Sequence, residues 1–178
     1  PVAETDRLAG DALPYMSGRG SLKLEHALDV FGINSADMVC LDVGASTGGF
    51  TEVLLSRGAR RVIAVDVGTG QLVPDLRADS RVMSLEQTDI RDLTPPMPVD
   101  LIVIDVSFVS LADIVGCLPR WGAKHIVALI KPQFEVPRAV AAAAHGVIKS
   151  EQWHNYSINR AIEAFSSCGY ECLMTEPS

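Results

Sequence analysis

The amino-acid sequence predicts an α/β fold with a doubly wound, mostly parallel sheet and helices on both faces. Two observations support this prediction. Short apolar runs alternate along the chain with stretches in which apolar residues recur at helical spacing. The runs are apolar at successive positions rather than at every second one, which is typical of parallel strands buried on both faces.

The first predicted helix follows a polar, turn-rich segment of residues 1–20, which we interpret as a linker to a domain of residues 21–178. The apolar face of this helix is formed by Leu24, Ala27, Leu28 and Phe31. Ser21 is suited to cap its start and Gly32 to end it. Lys23 then falls in the first turn, where the helix dipole disfavours a cation. This placement hints at a function, although an exposed lysine without one is the commoner case.

A glycine-rich turn joins the first predicted strand to the next helix. The apolar run Val39–Leu41 ends in Asp42, residues 44–49 form the turn, and an amphipathic pattern begins at Phe50. Such a turn lets a ligand approach the backbone closely, because glycine has no Cβ and accepts positive φ. The next apolar run ends in Asp66, and an acid there suits the hydroxyls of a ribose. Together these features predict a cofactor that contains a nucleoside.

The remaining elements continue the alternation. Strands are predicted at residues 81–85, 101–104, 125–130 and 170–174, and helical patterns at residues 109–118 and 158–165. Three prolines in residues 94–98 indicate a loop. The alanine-rich residues 139–144 fit either a loose helix or a mobile flap.

Polar side chains end, or closely follow, five consecutive strands. They are Asp42, Asp66, Asp89, Asp105 and Lys131. The carboxyl ends of parallel strands lie at one edge of a sheet, where ligands bind. We therefore expect these side chains to surround one site.

The turn also separates two classes of cofactor. A dinucleotide site usually has the pattern G-x-G-x-x-G, because pyrophosphate must touch bare backbone amides. Here residues 44–49 have the sequence GASTGG, and Asp42 before them repels phosphate but can hold an ammonium group. The pattern favours S-adenosylmethionine, and hence a methyltransferase over a dehydrogenase. A turn that serves only strand-to-helix packing is the remaining alternative.

Composition sets further bounds. A chain of 178 residues with 48% hydrophobic and 21% charged residues is ordinary for one compact α/β domain. No apolar run approaches the roughly 20 residues that span a bilayer, and no signal peptide is found, so we expect a cytoplasmic protein with no membrane partner. The four cysteines lack the spacing of a zinc site, so we expect reduced, mostly packing residues and no metal.

Charge bears on nucleic-acid binding. The net charge of −7 argues against a self-sufficient nucleic-acid binder, because phosphate contacts demand a basic surface. Arg120, Lys124, Lys131 and Arg138 nevertheless share a short stretch with a single acid, Glu135. They indicate either a local basic face or ordinary solvated charge.

The polar edge suggests methyl transfer to a hydroxyl. Asp105 and Lys131 end neighbouring strands if the sheet has the usual order, and Lys23 could reach the same edge. A hydroxyl must lose its proton to attack. A lysine near another cation, or partly desolvated, has a lowered pKa, so it can be neutral and take that proton. A nearby aspartate pushes the pKa of the lysine the other way, and the sign of the net shift stays open. In-line positioning of oxygen, methyl and sulfur would supply much of the acceleration.

Other methyl acceptors fit less well. Enzymes that methylate exocyclic base amines typically carry an Asn/Asp-Pro-Pro-aromatic turn, but residues 105–108 have the sequence DVSF. Methylation at pyrimidine carbon 5 needs a thiol nucleophile, and no cysteine follows a proline in an active-site loop.

Five stretches together resemble the hemolysin A (TlyA-type) family of ribosomal-RNA 2′-O-methyltransferases, within the wider FtsJ-like group. They are YMSGRGSLKLEHAL, VCLDVGASTGGFT, VIAVDVGTGQL, DLIVIDVSFVSL and LIKPQFE. The resemblance implies a Rossmann-like S-adenosylmethionine-dependent methyltransferase fold. It also implies a Lys-Asp-Lys-Glu catalytic set, in which Lys23, Asp105 and Lys131 match the first three members.

The sequence and this resemblance give one set of expected cofactor-binding residues. The set comprises Asp42, Gly44, Ala45, Ser46, Thr47, Gly48, Gly49, Phe50, Asp66, Val67, Asp89 and Ile90. The expected substrate is ribosomal RNA, free or in ribosomal subunits.

Two family features are not found in this chain. The final glutamate of the family lies in a Gly-Asn-x-Glu setting, which does not occur before Ser178, and Glu176 lacks that context. We also expect the S4-type RNA-binding domain to be absent, and the methyltransferase domain to be incomplete at its C-terminus. Two other functions stay open: a hemolysin or other membrane-active protein, and a module that binds cofactor or RNA without catalysis.

Overall fold

The computed structural model describes residues 19–177. Its strands are β1 Val39–Val43, β2 Arg61–Val65, β3 Val82–Leu85, β4 Leu101–Ile104 and β5 His125–Ala128. Its helices are α1 Arg19–Val30, α2 Gly49–Ser56, α3 Pro74–Ala78, α4 Leu111–Ile114, α5 Pro132–Glu135, α6 Arg138–Ala143 and α7 Glu151–Ser167. Two 3₁₀ turns, Val115–Cys117 and Pro119–Trp121, follow α4.

The five strands form one parallel sheet in the order β3-β2-β1-β4-β5. The chain winds outward from β1 to β3, then returns to the centre and continues from β4 to β5. The direction of winding therefore reverses between β1 and β4, and an open parallel sheet forms its ligand crevice at such a point. The doubly wound α/β fold expected from the sequence is confirmed.

Alternate residues of each strand face two separate hydrophobic cores. Cys40 faces a core that contains Leu24 of α1 and Leu54 of α2. Leu41, the next residue, faces a core that contains Trp121 of the second 3₁₀ turn and Ala161 of α7. Burial on both sides explains the uninterrupted apolar runs, because neither face of a central strand meets water.

The first helix differs from the expectation at its start. It begins at Arg19, so Ser21 lies inside its first turn instead of capping it, and Lys23 lies in the second turn. Within residues 19–177, the buried Ser21 hydroxyl has no hydrogen-bond partner. Its burial shows that tertiary packing contributes to the stability of this start. The end is as expected, because Gly32 has a φ of 65° and the amide after it donates to the carbonyl of Leu28 at 2.9 Å.

Two predicted elements are shorter than their sequence patterns. The helix expected at residues 109–118 is α-helical only over Leu111–Ile114 and then tightens into 3₁₀ turns, since Pro119 cannot donate a backbone hydrogen bond. The fifth strand ends at Ala128 rather than at residue 130, because its pairing partner β4 ends at Ile104.

The prediction of a strand at residues 170–174 is wrong. Residues 171–177 are exposed and irregular, and none of the five strands described for residues 19–177 pairs with them. Apolar character alone does not make a strand, because its backbone amides need a neighbouring ladder. Residues 139–144 lie mostly in α6, so the helical alternative is correct. The linker expected at residues 1–20 falls outside the described residues except for its last two, which begin α1.

Several other features bear on function. No helix in the described part of the chain is long and apolar enough to cross a membrane. Within residues 19–177, no three His, Cys, Asp or Glu side chains are grouped as a metal site would require. The four cysteines are free, and burial raises the pKa of Cys40 to about 12.

Candidate active site

A cleft of about 500 Å³ opens at the carboxyl ends of β1, β2 and β4. This volume lies in the usual range for sites that bind small ligands. The cleft wall includes six of the residues expected to bind the cofactor, namely Gly44, Ser46, Asp66, Val67, Asp89 and Ile90. Asp105, expected in catalysis, lines it as well.

Asp66 links the ends of the first two strands in the cleft wall. Its Oδ2 accepts a hydrogen bond from the backbone N–H of Ser46 at 2.8 Å, and its Oδ1 accepts one from that of Gly68 at 2.7 Å. The Ser46 hydroxyl in turn donates to Oε1 of Gln71 at 3.1 Å. These bonds hold the Asp66 carboxylate in place and leave lone pairs that can accept further hydrogen bonds.

Two positions of the turn require glycine for different structural reasons. Gly44 has a φ of 85°, and a Cβ there would stand 2.7 Å from the carbonyl oxygen of Asp105. Gly48 has a φ of 106°, and a Cβ there would overlap Leu76 and lie 2.8 Å from Leu72. Gly44 thus allows the loop to approach the end of β4 at the cleft, whereas Gly48 allows α2 to pack against α3.

The other members of the expected cofactor set do not line the cleft. They are Asp42, Ala45, Thr47, Gly48, Gly49 and Phe50. Packing accounts for the glycine at position 49, because a Cβ there would stand 2.9 Å from Oγ of Ser21. Packing likewise accounts for Phe50, whose side chain is buried in the core beside α1. Their contact with a cofactor stays a prediction.

Asp42 is a fully buried residue inside β1 rather than a group beyond its end. The Thr51 hydroxyl donates to its Oδ2 at 2.7 Å, while its Oδ1 has no hydrogen-bond partner in the described part of the chain. Burial raises the pKa of Asp42 to about 7; the charges of Asp105 and Asp66 add to this, and the bond from Thr51 opposes it. An acid in this state lies beside the cleft and carries unsatisfied acceptor capacity.

Asp89 is held by its own neighbour Arg91. The Arg91 guanidinium donates to Asp89 at 2.9 Å through Nε and at 2.6 Å through Nη2, and its backbone N–H adds a third bond at 2.9 Å. The side-chain bond is the main reason that the pKa of Asp89 is lowered. Arg91 also lines the cleft, so a ligand bound by Asp89 would share that carboxylate with Arg91.

Asp105 and Lys131 meet at the cleft, as their strand positions predicted. Nζ of Lys131 lies 2.6 Å from Oδ1 of Asp105 and donates a hydrogen bond to Oγ of Ser107 at 2.9 Å. The contact with Asp105 is an ion pair without good hydrogen-bond alignment, since Oδ1 has no partner of acceptable geometry. About a quarter of each side chain of the pair is exposed, so both remain accessible to a ligand.

Lys23 lies in α1 near this pair but does not join it. A Cβ at Gly20, one helical turn before Lys23, would stand 3.6 Å from Oδ2 of Asp105, so the start of α1 lies against the site. Among the described residues, Lys23 has no ion pair. Its catalytic role stays a prediction.

Comparison with known proteins gives the chain a family. The sequence model of the FtsJ-like methyltransferase family matches residues 16–178. The chain belongs to this family. It is 50% identical over 167 residues to the 16S/23S rRNA (cytidine-2′-O)-methyltransferase TlyA of Mycobacterium tuberculosis, covering 90% of this chain and 61% of that protein.

Two further comparisons support the same relationship. Hemolysin A of Brachyspira hyodysenteriae is 41% identical over 177 residues, covering 96% of this chain and 73% of that protein. A solved structure from Streptococcus thermophilus that carries a hemolysin designation superposes with a TM-score of 0.78 at 42% identity, covering 87% of this chain and 59% of the other. This FtsJ-like chain thus spans about three fifths of the length of TlyA.

One residue that sequence reasoning missed in this FtsJ-like chain is Phe108. Its side chain lines the cleft, is 92% exposed, and has a positive φ of 67°. Its ring centroid lies 5.3 Å from that of Phe134. An exposed aromatic with a left-handed backbone is uncommon and often marks a functional position. The DVSF and KPQFE stretches contained both rings, but only the fold showed that they meet.

Two carboxylates were also missed. Glu86 follows β3 and accepts backbone N–H bonds from residues 70–72, at 2.6 Å, 2.8 Å and 3.0 Å, so it shapes the loop that carries Gln71 into the cleft wall. Its pKa is lowered, first by the bond from Leu72. Glu135 is buried behind the Asp105–Lys131 pair. The sequence held two signals for it, its place one helical turn after Lys131 and its position in the LIKPQFE stretch, but neither indicated a contact with residues 110 and 111.

The four basic residues between positions 120 and 138 do not form one face in this FtsJ-like chain. Lys124 precedes β5 and Lys131 follows it, so the two lysines lie at opposite ends of this strand, Lys124 at the amino end and Lys131 at the carboxyl end. The Arg120 guanidinium donates to the carbonyls of Ile90 and Arg91 beside the cleft. Of the two alternatives, the structure favours separate surface charges over a local basic face.

Proposed function

We propose that this chain transfers a methyl group from S-adenosylmethionine to the ribose 2′-hydroxyl of a cytidine in ribosomal RNA. The observation that carries this proposal is the ion pair between Lys131 and Asp105, a residue that lines the cleft together with Gly44 and Ser46 of the glycine-rich turn. A lysine in its neutral form can remove a proton from a hydroxyl, and the Asp105 carboxylate holds that side chain in place and stabilises the ammonium group that results.

The charges of the cleft fit this cofactor. Three carboxylates line it, those of Asp66, Asp89 and Asp105, and buried Asp42 lies beside it. Among residues 19–177, Arg91 is the one cation in the cleft wall, and it is already neutralised by Asp89. Such an acidic site disfavours a diphosphate and suits a ligand with ammonium and sulfonium charges. S-adenosylmethionine supplies an electrophilic methyl group bound to a positively charged sulfur.

The residues of the chain then have separate roles. Asp66, fixed by two backbone N–H groups, accepts hydrogen bonds from the ribose hydroxyls of the cofactor. Lys131, after releasing a proton to solvent, accepts the proton of the attacking 2′-hydroxyl. Asp105 stabilises the ammonium group that forms, and Ser107 orients it through its 2.9 Å hydrogen bond. The protein contributes mainly by holding the nucleophile in line with the methyl group.

The identity of the substrate is supported by two observations. The relative named TlyA is described as acting on cytidine 2′-hydroxyls of 16S and 23S rRNA. The exposed ring of Phe108 at the cleft offers a flat surface on which an unpaired base can stack, which is how proteins often bind single-stranded RNA.

The test is transfer of a labelled methyl group from S-adenosylmethionine to purified 30S and 50S subunits, with nucleosides identified by mass spectrometry. We expect 2′-O-methylcytidine with wild-type protein. We expect it with Lys124→Ala as well, because Lys124 lies at the amino end of β5, opposite the carboxyl ends at which the cleft opens. We expect almost none with Lys131→Ala. Label on a base, or full activity in Lys131→Ala, would contradict the proposal.

The same proteins test the two alternative functions. Binding of S-adenosylmethionine by calorimetry without any transfer to RNA would support a binding module. The name of the Brachyspira relative motivates a lysis assay on erythrocytes. Lysis that is unaffected by Lys131→Ala would support a membrane-active protein instead.

A further inference from the structure

Two loops meet at the cleft and are joined by three successive contacts. We call residues 105–111, up to the first residue of α4, the β4 loop, and residues 131–135, which include the short helix α5, the β5 loop. The first contact is the 2.6 Å ion pair between Asp105 and Lys131, and the second is the aromatic pair of Phe108 and Phe134. The third lies at the far end of both loops, where the carboxylate of Glu135 meets the start of α4.

Glu135 is the buried member of this series. Its side chain is 2% exposed. Its Oε2 accepts a hydrogen bond from Oγ of Ser110 at 2.5 Å, and its Oε1 accepts one from the backbone N–H of Leu111 at 2.8 Å. The Arg160 guanidinium of α7 lies 3.8 Å from Oε2. A buried carboxylate is costly unless its oxygens are satisfied, so this arrangement has a strong preference for a single geometry.

The other two contacts are weaker constraints. Asp105 and Lys131 are each partly exposed, and an ion pair of two flexible, hydrated side chains contributes little to holding a structure together. Phe108 is almost fully exposed, so its ring is free to leave Phe134. The fixed end of the β5 loop is therefore the one at Glu135, one helical turn after Lys131.

We propose that Glu135 is a positioning residue that sets the placement of Lys131 relative to Asp105 by fixing the β5 loop to the β4 loop. The catalytic consequence rests on the proposed function, whereas the placement of Lys131 can be measured without it. Because a misplacement of about 1 Å can cost about 10²-fold in rate, a loosened β5 loop should lower turnover without lowering cofactor affinity.

Three variants weaken the contact of Glu135 with the β4 loop to different extents. Glu135→Ala removes both hydrogen bonds, and Glu135→Gln keeps the shape but loses the charge. Ser110→Ala removes the hydroxyl bond to Glu135 together with the N-cap bond that Oγ of Ser110 accepts from the backbone N–H of Ala112. Glu163→Gln is the matched control, an exposed carboxylate on α7. We expect kcat to fall about 10- to 100-fold in Glu135→Ala, with partial recovery in Glu135→Gln. We expect KM for S-adenosylmethionine to stay within about twofold and Glu163→Gln to match wild type.

A second measurement reads the placement of Lys131 without catalysis. Each protein is acylated briefly with a lysine-reactive ester, and the labelling of each lysine is followed by mass spectrometry. Wild-type Lys131 should react slowly because it is paired with Asp105. In Glu135→Ala and Ser110→Ala its labelling should rise several-fold relative to Lys124 and Lys149, whereas global unfolding would raise labelling at all three.

These outcomes separate the inference from the proposed function. If the folded Glu135→Ala variant keeps wild-type kcat or wild-type labelling of Lys131, the positioning role is wrong. If Glu135→Ala does not fold, the same criteria apply to Ser110→Ala. If wild-type protein methylates no RNA, the proposed function fails, and the labelling of Lys131 still decides whether Glu135 places it.

Discussion

Nζ of Lys131 lies 2.6 Å from Oδ1 of Asp105, although the two residues come from different strand ends. β4 and β5 are adjacent and parallel, with Ile104 paired to Ala128, so the residues just beyond them emerge at the same edge. A further hydrogen bond from Lys131 to Ser107 restricts where the ammonium group can lie. Three side chains thus define one reactive position at the mouth of the cleft.

Asp105→Asn and Ser107→Ala should reduce methyl transfer by different amounts. Asp105→Asn removes the charge that stabilises protonated Lys131, so we expect a loss of about 10²-fold or more in kcat. Ser107→Ala removes one hydrogen bond, so we expect a loss of about tenfold or less. Initial rates with ribosomal subunits measure both. Calorimetry separates the loss in kcat from any loss of affinity for S-adenosylmethionine, since Asp105 also lines the cleft. Equal losses in the two variants would argue against the central role of the ion pair.

Asp42 should make stability depend on pH. Its pKa is about 7 in the folded chain, against an ordinary value of 3.8 that applies when the chain is unfolded, so between these values the folded state holds a proton that the unfolded state releases. The free energy of unfolding should therefore fall as pH rises from about 4 to about 7, by an amount on the order of 4 kcal/mol. Asp42→Asn should lack this contribution.

The measurement for Asp42 is urea unfolding of wild type and Asp42→Asn at pH 4.5 and pH 8. The difference in unfolding free energy between Asp42→Asn and wild type should move in favour of the variant when the pH is raised from 4.5 to 8. Thr51→Val is a second test, because it removes the hydrogen bond that opposes the shift and should steepen the dependence. A stability difference that is independent of pH would contradict the prediction.

Gly48→Ala should destabilise the fold more than Gly32→Ala. Both glycines have positive φ, at 106° and 65°, so both substitutions incur backbone strain of about 1–2 kcal/mol. Only at Gly48 would the new Cβ overlap Leu76, which adds about 1–3 kcal/mol of overpacking, because nothing lies within 4 Å at Gly32. Chemical denaturation measures the two losses. Equal values would show that α3 moves aside.

Glu86→Gln should weaken cofactor binding severalfold without changing kcat. Its carboxylate orders residues 70–72 through three backbone N–H bonds, and this loop carries Gln71 beside Ser46. A neutral amide is a weaker acceptor for these groups. Asp79→Asn is a matched control, since Asp79 forms an ion pair with Arg81 just before β3, at the amino end of that strand.

The Glu86 loop should also respond to acid. Its pKa lies below the ordinary 4.5, so the stability that it contributes is present above about pH 4.5 and is lost as pH falls through the lowered value. Amide exchange at residues 70–72 should increase there in wild type and be independent of this titration in Glu86→Gln. Wild-type protection that does not decrease at any acidic pH at which the rest of the chain stays folded would contradict this assignment.

Much of the site was accessible from the sequence because strand ends are easy to recognise in a parallel sheet. Apolar runs marked β1, β2 and β4, and the polar residue after each run was expected at one edge, where Asp66 and Asp105 indeed lie. Asp42 shows the limit of that reasoning. It interrupts an apolar run and was interpreted as a strand end, but it is a buried residue within β1.

The amino-acid sequence by itself determined the order of strands and helices, the parallel sheet and the acidic cleft edge, because burial on two faces and the properties of glycine leave local patterns. Only the tertiary structure decided which glycines face the cleft and which serve packing. It also decided that Phe108 meets Phe134 and that Glu135 closes onto Ser110. Those contacts join residues that are distant in sequence, and no periodicity encodes a distance across a fold.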